Sequence, residues 1–246
     1  MKTPVRVLLL GAKGWMGQAI AAAAPKADAE IAAGLDLGDK IAAQISNCDV
    51  VIDFSHPNGS EELSHACRDA KKPAVIGTTG HSKEERAAIE ELARAVPVVL
   101  SPNFSVGVNA LFWLTRKAAQ MLGDDFDLEV NEMHHRLKKD APSGTAKKLA
   151  EILCEERGLD YTKNVRHGRE GLVGERPPNE IGVHSIRGGD VVGDHTVTFA
   201  GAGERLELSH KAASRETFAL GALRAARWVI GKSPGLYSME DVLGLK

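Results

Sequence analysis

Five short apolar runs, VRVLLL, EIAAGLD, CDVVIDF, PAVIGTT and PVVLSPN, succeed one another through the first hundred residues. Stretches with helical composition or periodicity separate most of them: QAIAAAAPKA after the first, SEELSHACRDA after the third and KEERAAIEELARA after the fourth. A run that is apolar at nearly every position suits a strand covered on both faces, and strands that alternate with helices suit a parallel sheet. The pattern predicts an α/β fold with a doubly wound parallel sheet. Between Asp36 and Cys48 there is little room for a full helix, so that crossover is predicted to be abbreviated.

From Ser105 the pattern changes. SVGVNALFWLTRKAAQML reads as a long apolar helix, and DLEVNEMHH alternates like a strand. A helix is predicted from Thr145 to Arg157, then Gly- and charge-rich loops, then HTVTFAG and ERLELSHKA, two strands joined by a Gly-containing turn as in a hairpin. These elements predict a second, α+β domain with a mainly antiparallel sheet. A final helix, roughly Ser214 to Ile230, and the tail after it are expected to return to the first domain. The expected division is residues 1–104 and 215–246 for the first domain and 105–214 for the second.

Composition narrows the function. At 246 residues the chain is long enough for one large domain or two modest ones. A net charge of −2 does not suggest a surface for nucleic acid or an anionic membrane. Apolar runs such as Val7 to Leu10 are far shorter than the ~20 residues that span a bilayer. The N-terminal run passes directly into a glycine turn and lacks the small-residue cleavage site of a signal peptide. Cys48, Cys67 and Cys154 are widely spaced, with no C-x-x-C pair, which suits a reducing, cytoplasmic compartment.

LLLGAKGWMGQAI places Gly11, Gly14 and Gly17 between a strand and a helix. Lys13 occupies the middle position, so the spacing is G-x-x-G-x-x-G rather than the strict G-x-G-x-x-G of Rossmann-like dinucleotide sites. Such a trio turns the chain sharply and brings backbone N–H groups to a pyrophosphate at the helix N-terminus; a glycine-rich turn without a ligand looks the same. Asp36 favours the dinucleotide. It ends the second strand, about twenty residues beyond the glycines, where an acid accepts hydrogen bonds from the ribose hydroxyls of NAD. Leu37 comes next, not an arginine that would pair with a 2′-phosphate, so NADH is expected to serve at least as well as NADPH; Lys13 and Lys40 could partly rescue the phosphorylated cofactor. IGTTG, with Gly77, Thr78 and Thr79, and SPNF, with Ser101, Pro102, Asn103 and Phe104, lie at the carboxyl ends of later strands and suit a nicotinamide or an ordinary turn.

The segment EMHHRLKKDAPSGTA gathers His134, His135, Arg136, Lys138 and Lys139 just before a helix start. Metal ligation is disfavoured, because no further Cys, His or acid falls at zinc-site spacing. A nucleophilic serine is disfavoured by the absence of a G-x-S-x-G elbow. A Schiff-base lysine and a solvated basic loop both remain open. The sequel favours a site: Pro142 rigidifies the approach, Ser143 is a plausible N-cap, and Gly144 and Thr145 fall at the positive end of the helix dipole. An anion receptor flanked by a histidine that can exchange a proton and a lysine that can neutralise developing charge suits a small dicarboxylate substrate.

The long pattern E-x-HHR-x-K-x-DAPSGTA, with Met133, Leu137 and Lys139 at its variable positions, closely resembles the signature of the 4-hydroxy-tetrahydrodipicolinate reductase family, of the diaminopimelate route to lysine. GAKGWMG, VIDFSHP, IGTTG, PNFSVGVN and HKAASRETFALGA resemble further segments of that family, in order and across nearly the whole chain. The resemblance implies NAD(P)H-dependent reduction of 4-hydroxy-tetrahydrodipicolinate to tetrahydrodipicolinate with loss of water. It implies a general acid/base role for His134, proton donation by Lys138, substrate binding by His135, and substrate-carboxylate binding by Gly144 and Thr145. Gly11, Ala12, Lys13, Gly14, Trp15, Met16, Asp36, Gly77 to Thr79 and Ser101 to Phe104 match the family's cofactor positions. Leu37 departs from members that carry arginine there, which puts strong NADPH selectivity in doubt. Arg215 and Phe218 lie in a matching segment without an assigned role. Family members are typically cytoplasmic homotetramers assembled through the second domain's sheet. Two rivals remain: another two-domain NAD(P)-dependent amino-acid or semialdehyde dehydrogenase, and a nucleotide-sensing protein without turnover.

Overall fold

The computed structural model describes residues 3–245. In chain order the elements are β1 (Val5–Leu10), α1 (Trp15–Ala23), β2 (Ala29–Leu35), β3 (Val50–Asp53), α2 (Ser60–Ala70), β4 (Ala74–Ile76), α3 (Lys83–Ala95) and β5 (Pro97–Leu100). There follow α4 (Val106–Leu122), β6 (Asp127–His134), α5 (Gly144–Arg157), α6 (Tyr161–Asn164), β7 (Val165–His167), β8 (Ile181–Arg187), β9 (Gly193–Gly201), β10 (Glu204–Ala212), α7 (Glu216–Val229), β11 (Gly235–Tyr237) and α8 (Met239–Leu243). The chain divides into two compact units, one formed by Met1–Val106 with Arg215–Lys246, the other by Gly107–Ser214.

The first unit is a six-stranded parallel sheet in the order β11-β5-β4-β3-β1-β2. Its apolar runs serve two faces at once, because successive side chains of a strand point to opposite sides. Val7, Leu9 and Ile52 join Ile20 of α1 and Leu223 and Val229 of α7 in one core layer. Leu8, Val51 and Ile76 meet Leu63 of α2 and Ile89 and Leu92 of α3 in the other. α3 carries a full capping box: the Ser82 hydroxyl accepts from the Glu85 N–H and the Glu85 carboxylate from the Ser82 N–H. The abbreviated crossover after Asp36 consists of two single 3₁₀ turns, Ile41–Ala43 and Ile45–Asn47, which bury Ile41 and Ile45. The strand order reverses between β1 and β3, a switch point of the kind where such sheets take ligands.

The second unit is a five-stranded sheet in the order β10-β9-β6-β8-β7. It is mixed, where the sequence suggests a mainly antiparallel sheet: β10–β9 and β9–β6 pair antiparallel, but β6–β8 and β8–β7 pair parallel. The parallel strands β7 and β8 flank the Gly- and charge-rich stretch that reads as loop. Ion pairs hold that stretch down, with Arg176 at 2.6 Å from Asp127, and Arg169 at 2.7 Å from Glu129 and 2.5 Å from Glu180. β9 and β10 form the expected hairpin, turning at Gly203 with φ +86°. Leu128 and Val130 of β6, Val197 and Phe199 of β9 and Leu149 and Leu153 of α5 are buried together. The same face of β6 continues past Val130 with Glu132 and His134, also buried, so an apolar stripe ends in two ionisable groups.

Candidate active site

At the end of β6 the His134 imidazole brings Nδ1 to 2.6 Å from Oε2 of Glu132. Glu132 is wholly enclosed and accepts from both terminal nitrogens of Arg187, each at 2.9 Å, and from the Ser143 N–H at 3.1 Å. Register explains the company. Parallel pairing sets His134 beside Arg187 of β8, and antiparallel pairing sets Glu132 beside His195 of β9. The His195 ring stands edge-on to that of His134, centroids 5.1 Å apart, with Nε2 3.1 Å from the Ser143 hydroxyl. That hydroxyl accepts the Ala146 N–H at 3.2 Å and so caps α5. One buried network thus joins the imidazole to the start of a helix.

Burial alone would push the Glu132 carboxyl up, but hydrogen bonds from Arg187, His134, Ser185 and the Ser143 amide outweigh it and bring the carboxyl to about 2. Burial holds His134 below the ordinary histidine value; Glu132 opposes that shift, while the nearby Lys138 and Arg187 reinforce it. Burial first, and His134 second, drive His195 down to about 3. The imidazole of His195 is therefore neutral in the folded protein at ordinary pH.

A stability prediction follows. In the unfolded chain a histidine titrates near 6.5. As pH falls below that value the unfolded state gains a proton that folded His195 refuses until about pH 3, so stability declines across that window. For His195 the loss is about 1.5–2 kcal/mol between pH 6.5 and 5; His134 and His210, also lowered by burial, add to it in the same direction. Glu132 contributes only lower down, as pH drops through the carboxylate range toward 2. Thermal melts from pH 7.5 to 5 are expected to show a falling Tm, with a shallower slope in His195→Asn. An equal slope in that variant would contradict the assignment.

The other residues singled out in the basic segment fall around this network. Lys138 is largely enclosed, its Nζ 2.9 Å from Asp140, and its N–H donates to the His135 carbonyl at 3.1 Å. His135 is half-buried and its N–H donates to Val191 O at 2.7 Å. Gly144 is the exposed first residue of α5, with open space where a Cβ would stand, and Thr145 is half-buried in the same turn.

In the first unit, Gly11, Ala12, Lys13 and Gly14 make the turn after β1, and Trp15 and Met16 open α1. Gly11 has φ +77°, and a Cβ on Gly17 would run into the Gly11 carbonyl oxygen, so the loop and helix can close up only on glycine. Gly14 caps α1 without a side chain, leaving the helix start accessible to an anion. The Lys13 N–H lies 3.2 Å from both oxygens of Asp36, tying the acid after β2 to the glycine loop. The residues present fit a dinucleotide. Thr79 and Pro102 are exposed, whereas Thr78 donates its hydroxyl to Asp53 at 2.8 Å, Ser101 donates its hydroxyl to the Asn103 carbonyl at 2.8 Å, and Phe104 is buried against Phe54. Arg215, given no role by sequence, places its guanidinium 5.1 Å over the Trp15 ring.

Sequence reasoning missed Asp53, Glu132, Arg187 and His195. Asp53 is buried at the end of β3, and burial pushes its carboxyl up against hydrogen bonds from Ser55 and Thr78. An acid interrupting an apolar alternation was the available signal for Glu132; Arg187 offered none. Among the described residues no group of three His, Cys, Asp or Glu is placed to hold a metal ion, and no helix is long and apolar enough to cross a membrane. The three cysteines are buried, and burial pushes their thiols up, Cys154 to about 11, which deprives them of thiolate character.

A doubly wound sheet with a glycine cradle, in a chain that also carries a buried Glu132–His134 pair tied to a helix start, defines the class: an oxidoreductase with a dinucleotide-binding domain of the NAD(P)-dependent kind. Family models described as the N-terminus and the C-terminus of dihydrodipicolinate reductase match residues 5–104 and 107–243. The chain belongs to the dihydrodipicolinate reductase family. It is 57% identical to a 4-hydroxy-tetrahydrodipicolinate reductase from Akkermansia muciniphila over 242 residues, 98% of each chain. It is 46% identical to one from Geobacter metallireducens over 98% of this chain and 100% of that one. Among solved structures it resembles a dipicolinate-bound dihydrodipicolinate reductase from Paenisporosarcina, with a TM-score of 0.77 and 26% identity over 96% of this chain and 97% of that one.

Proposed function

We propose that the protein reduces 4-hydroxy-tetrahydrodipicolinate to tetrahydrodipicolinate with loss of water, using NADH or NADPH, in the diaminopimelate route of lysine biosynthesis. The observation that carries the reading is the network in which Glu132 and Ser143 join the His134 imidazole to the N-terminus of α5. An imidazole tied to a helix N-terminus supports a reading in which one transfers a proton and the other receives an anion, as reduction of a conjugated diacid requires. The names and near full-length identity of the relatives point the same way.

In this reading Gly144 and Thr145 receive one substrate carboxylate at the helix start, and His135 orients the substrate. Loss of water from the substrate leaves a conjugated dihydropyridine. Bound NADH or NADPH supplies the hydride that reduces it at C4. Electron density then moves toward the ring nitrogen, and Lys138 or His134 delivers the compensating proton. Gly11, Ala12, Lys13, Gly14, Trp15, Met16 and Asp36, with Gly77 to Thr79 and Ser101 to Phe104, hold the dinucleotide. The deciding experiment follows reduced-nicotinamide absorbance with freshly synthesised substrate; absence of turnover at any substrate concentration would refute the assignment.

Cofactor choice turns on Asp36. Its carboxylate, oriented by the Lys13 N–H, suits ribose hydroxyls and repels a 2′-phosphate, and the exposed Leu37 beside it offers no compensating charge. The expected kcat/KM for NADH is equal to or above that for NADPH, and Asp36→Ala is expected to shift the ratio toward NADPH. A strong wild-type preference for NADPH would overturn this. The protein is further proposed to act as a cytoplasmic homotetramer assembled through the sheet of the second unit.

A further inference from the structure

We infer that Glu132 is a positioning residue: one carboxylate decides which nitrogen of His134 carries the proton and, through its other oxygen, fixes the start of the helix that receives the substrate carboxylate. The inference rests on the role of His134 proposed above.

Every approach to this carboxylate is a donor. Oε2 faces His134 Nδ1 at 2.6 Å and Arg187 at 2.9 Å; Oε1 faces Arg187 at 2.9 Å and the Ser143 N–H at 3.1 Å. An ionised carboxylate only accepts, so Nδ1 of His134 must donate, and the neutral ring keeps its lone pair on Nε2. No side chain at position 193 crowds that nitrogen. Nε2 lies against Gly193, where even a Cβ would approach to 2.9 Å. Nε2 is therefore the nitrogen that exchanges a proton with substrate.

The second oxygen reaches further. Ser143, whose N–H it receives, caps α5 through its hydroxyl, and the same Arg187 that clamps the carboxylate also donates to the Asp140 carbonyl at 2.8 Å, in the loop that carries Lys138. The charged and titratable groups facing the His134 ring are Glu132 on its own strand, Lys138 in the following loop, Arg187 on β8 and His195 on β9. Of these only Glu132 favours the imidazolium. Removing its charge must lower the pH at which His134 titrates. A purely structural Glu132–Arg187 pair would affect stability and leave the ring's tautomer alone.

The test begins with the intact wild-type protein. ¹⁵N NMR of the His134 ring, identified by its loss in His134→Ala, is expected to show the Nδ1–H tautomer; a dominant Nε2–H tautomer overturns the inference, whether or not any Glu132 variant folds. In Glu132→Gln, kcat is expected to fall about 10²-fold, the scale on which a misplaced proton-transfer group is felt. The His134-dependent limb of the kcat profile should move about one pH unit lower, and the Kd for NADH should not change. Glu132→Asp, which keeps the charge, should restore the limb while recovering only part of kcat. If Glu132→Gln retains the wild-type limb and kcat although His134→Ala is slow, Glu132 does not position the ring and the catalytic reading stands. If His134→Ala itself turns over normally, that reading falls and takes this inference with it.

Discussion

In His134→Ala, kcat is expected to fall by about 10²–10⁴-fold, the range for losing a positioned proton-transfer group, while the Kd for NADH stays within about twofold. The asymmetry has a structural source. His134 lies in the unit formed by Gly107–Ser214, and the glycine loop with Asp36 in the other. Lys138→Ala is expected to give a loss of the same order. Its ammonium already has a carboxylate partner in Asp140, 2.9 Å away, so the lysine is held before any substrate arrives. If both groups serve one proton, the double variant should be little slower than the worse single one, because parts of one device do not add. Stopped-flow and steady-state kinetics with NADH binding titrations decide these points. Loss of NADH binding in both single variants would place the chemistry in the wrong unit.

Gly17→Val is expected to raise the Kd for NADH at least tenfold and to cost the first unit about 1–3 kcal/mol or more, as overpacking does. A Cβ at Gly17 meets the Gly11 carbonyl oxygen and the Ala12 backbone, with no flexible side chain to move aside. The conflict can be relieved only by shifting the turn after β1 away from α1, which dissolves the cradle of N–H groups. Gly14→Ala is expected to cost less stability: its Cβ would stand 3.2 Å from the Gly11 oxygen, a contact that a few tenths of an ångström relieve. Fluorescence titration and thermal melts of the two variants measure both effects. An unchanged Kd in Gly17→Val would mean that the glycine loop does not hold the cofactor.

What could be read from the sequence followed the range of the interactions. β1, β3, β4 and β5 announce themselves because burial on both faces leaves continuous apolar runs, whereas the edge strand β2 alternates partly buried and exposed residues. The start of α5 is equally local, since Ser143 and Ala146 are three positions apart. β8 was invisible because its pairing with β6 reaches across 53 residues, and the stretch between β7 and β8 is anchored by Arg169 and Arg176 to Glu129 and Asp127, 40 and 49 residues away. Arg187 joins the active network for the same reason: only parallel pairing with β6 brings it to Glu132. Glu132 stood in plain view, yet nothing local shows that its oxygens face four donors. The loops after β4 and β5 teach the reverse lesson. Their hydroxyls suit a ligand by composition, but Thr78 and Ser101 direct theirs to Asp53 and the Asn103 carbonyl.

The discontinuity of the first unit has a consequence for how the chain is made. A ribosome extrudes β1 to β5 long before α7 and β11 exist. Until then the sheet lacks Leu223 and Val229 on one face and the neighbour of β5 at its edge, both of which belong to the late segment. The intervening unit draws its sheet from a contiguous stretch and can close on itself meanwhile. Nascent chains are therefore expected to pass through a stage in which the first unit is an open, sticky scaffold while the second can already close, and it is during that interval that a chaperone has most to protect.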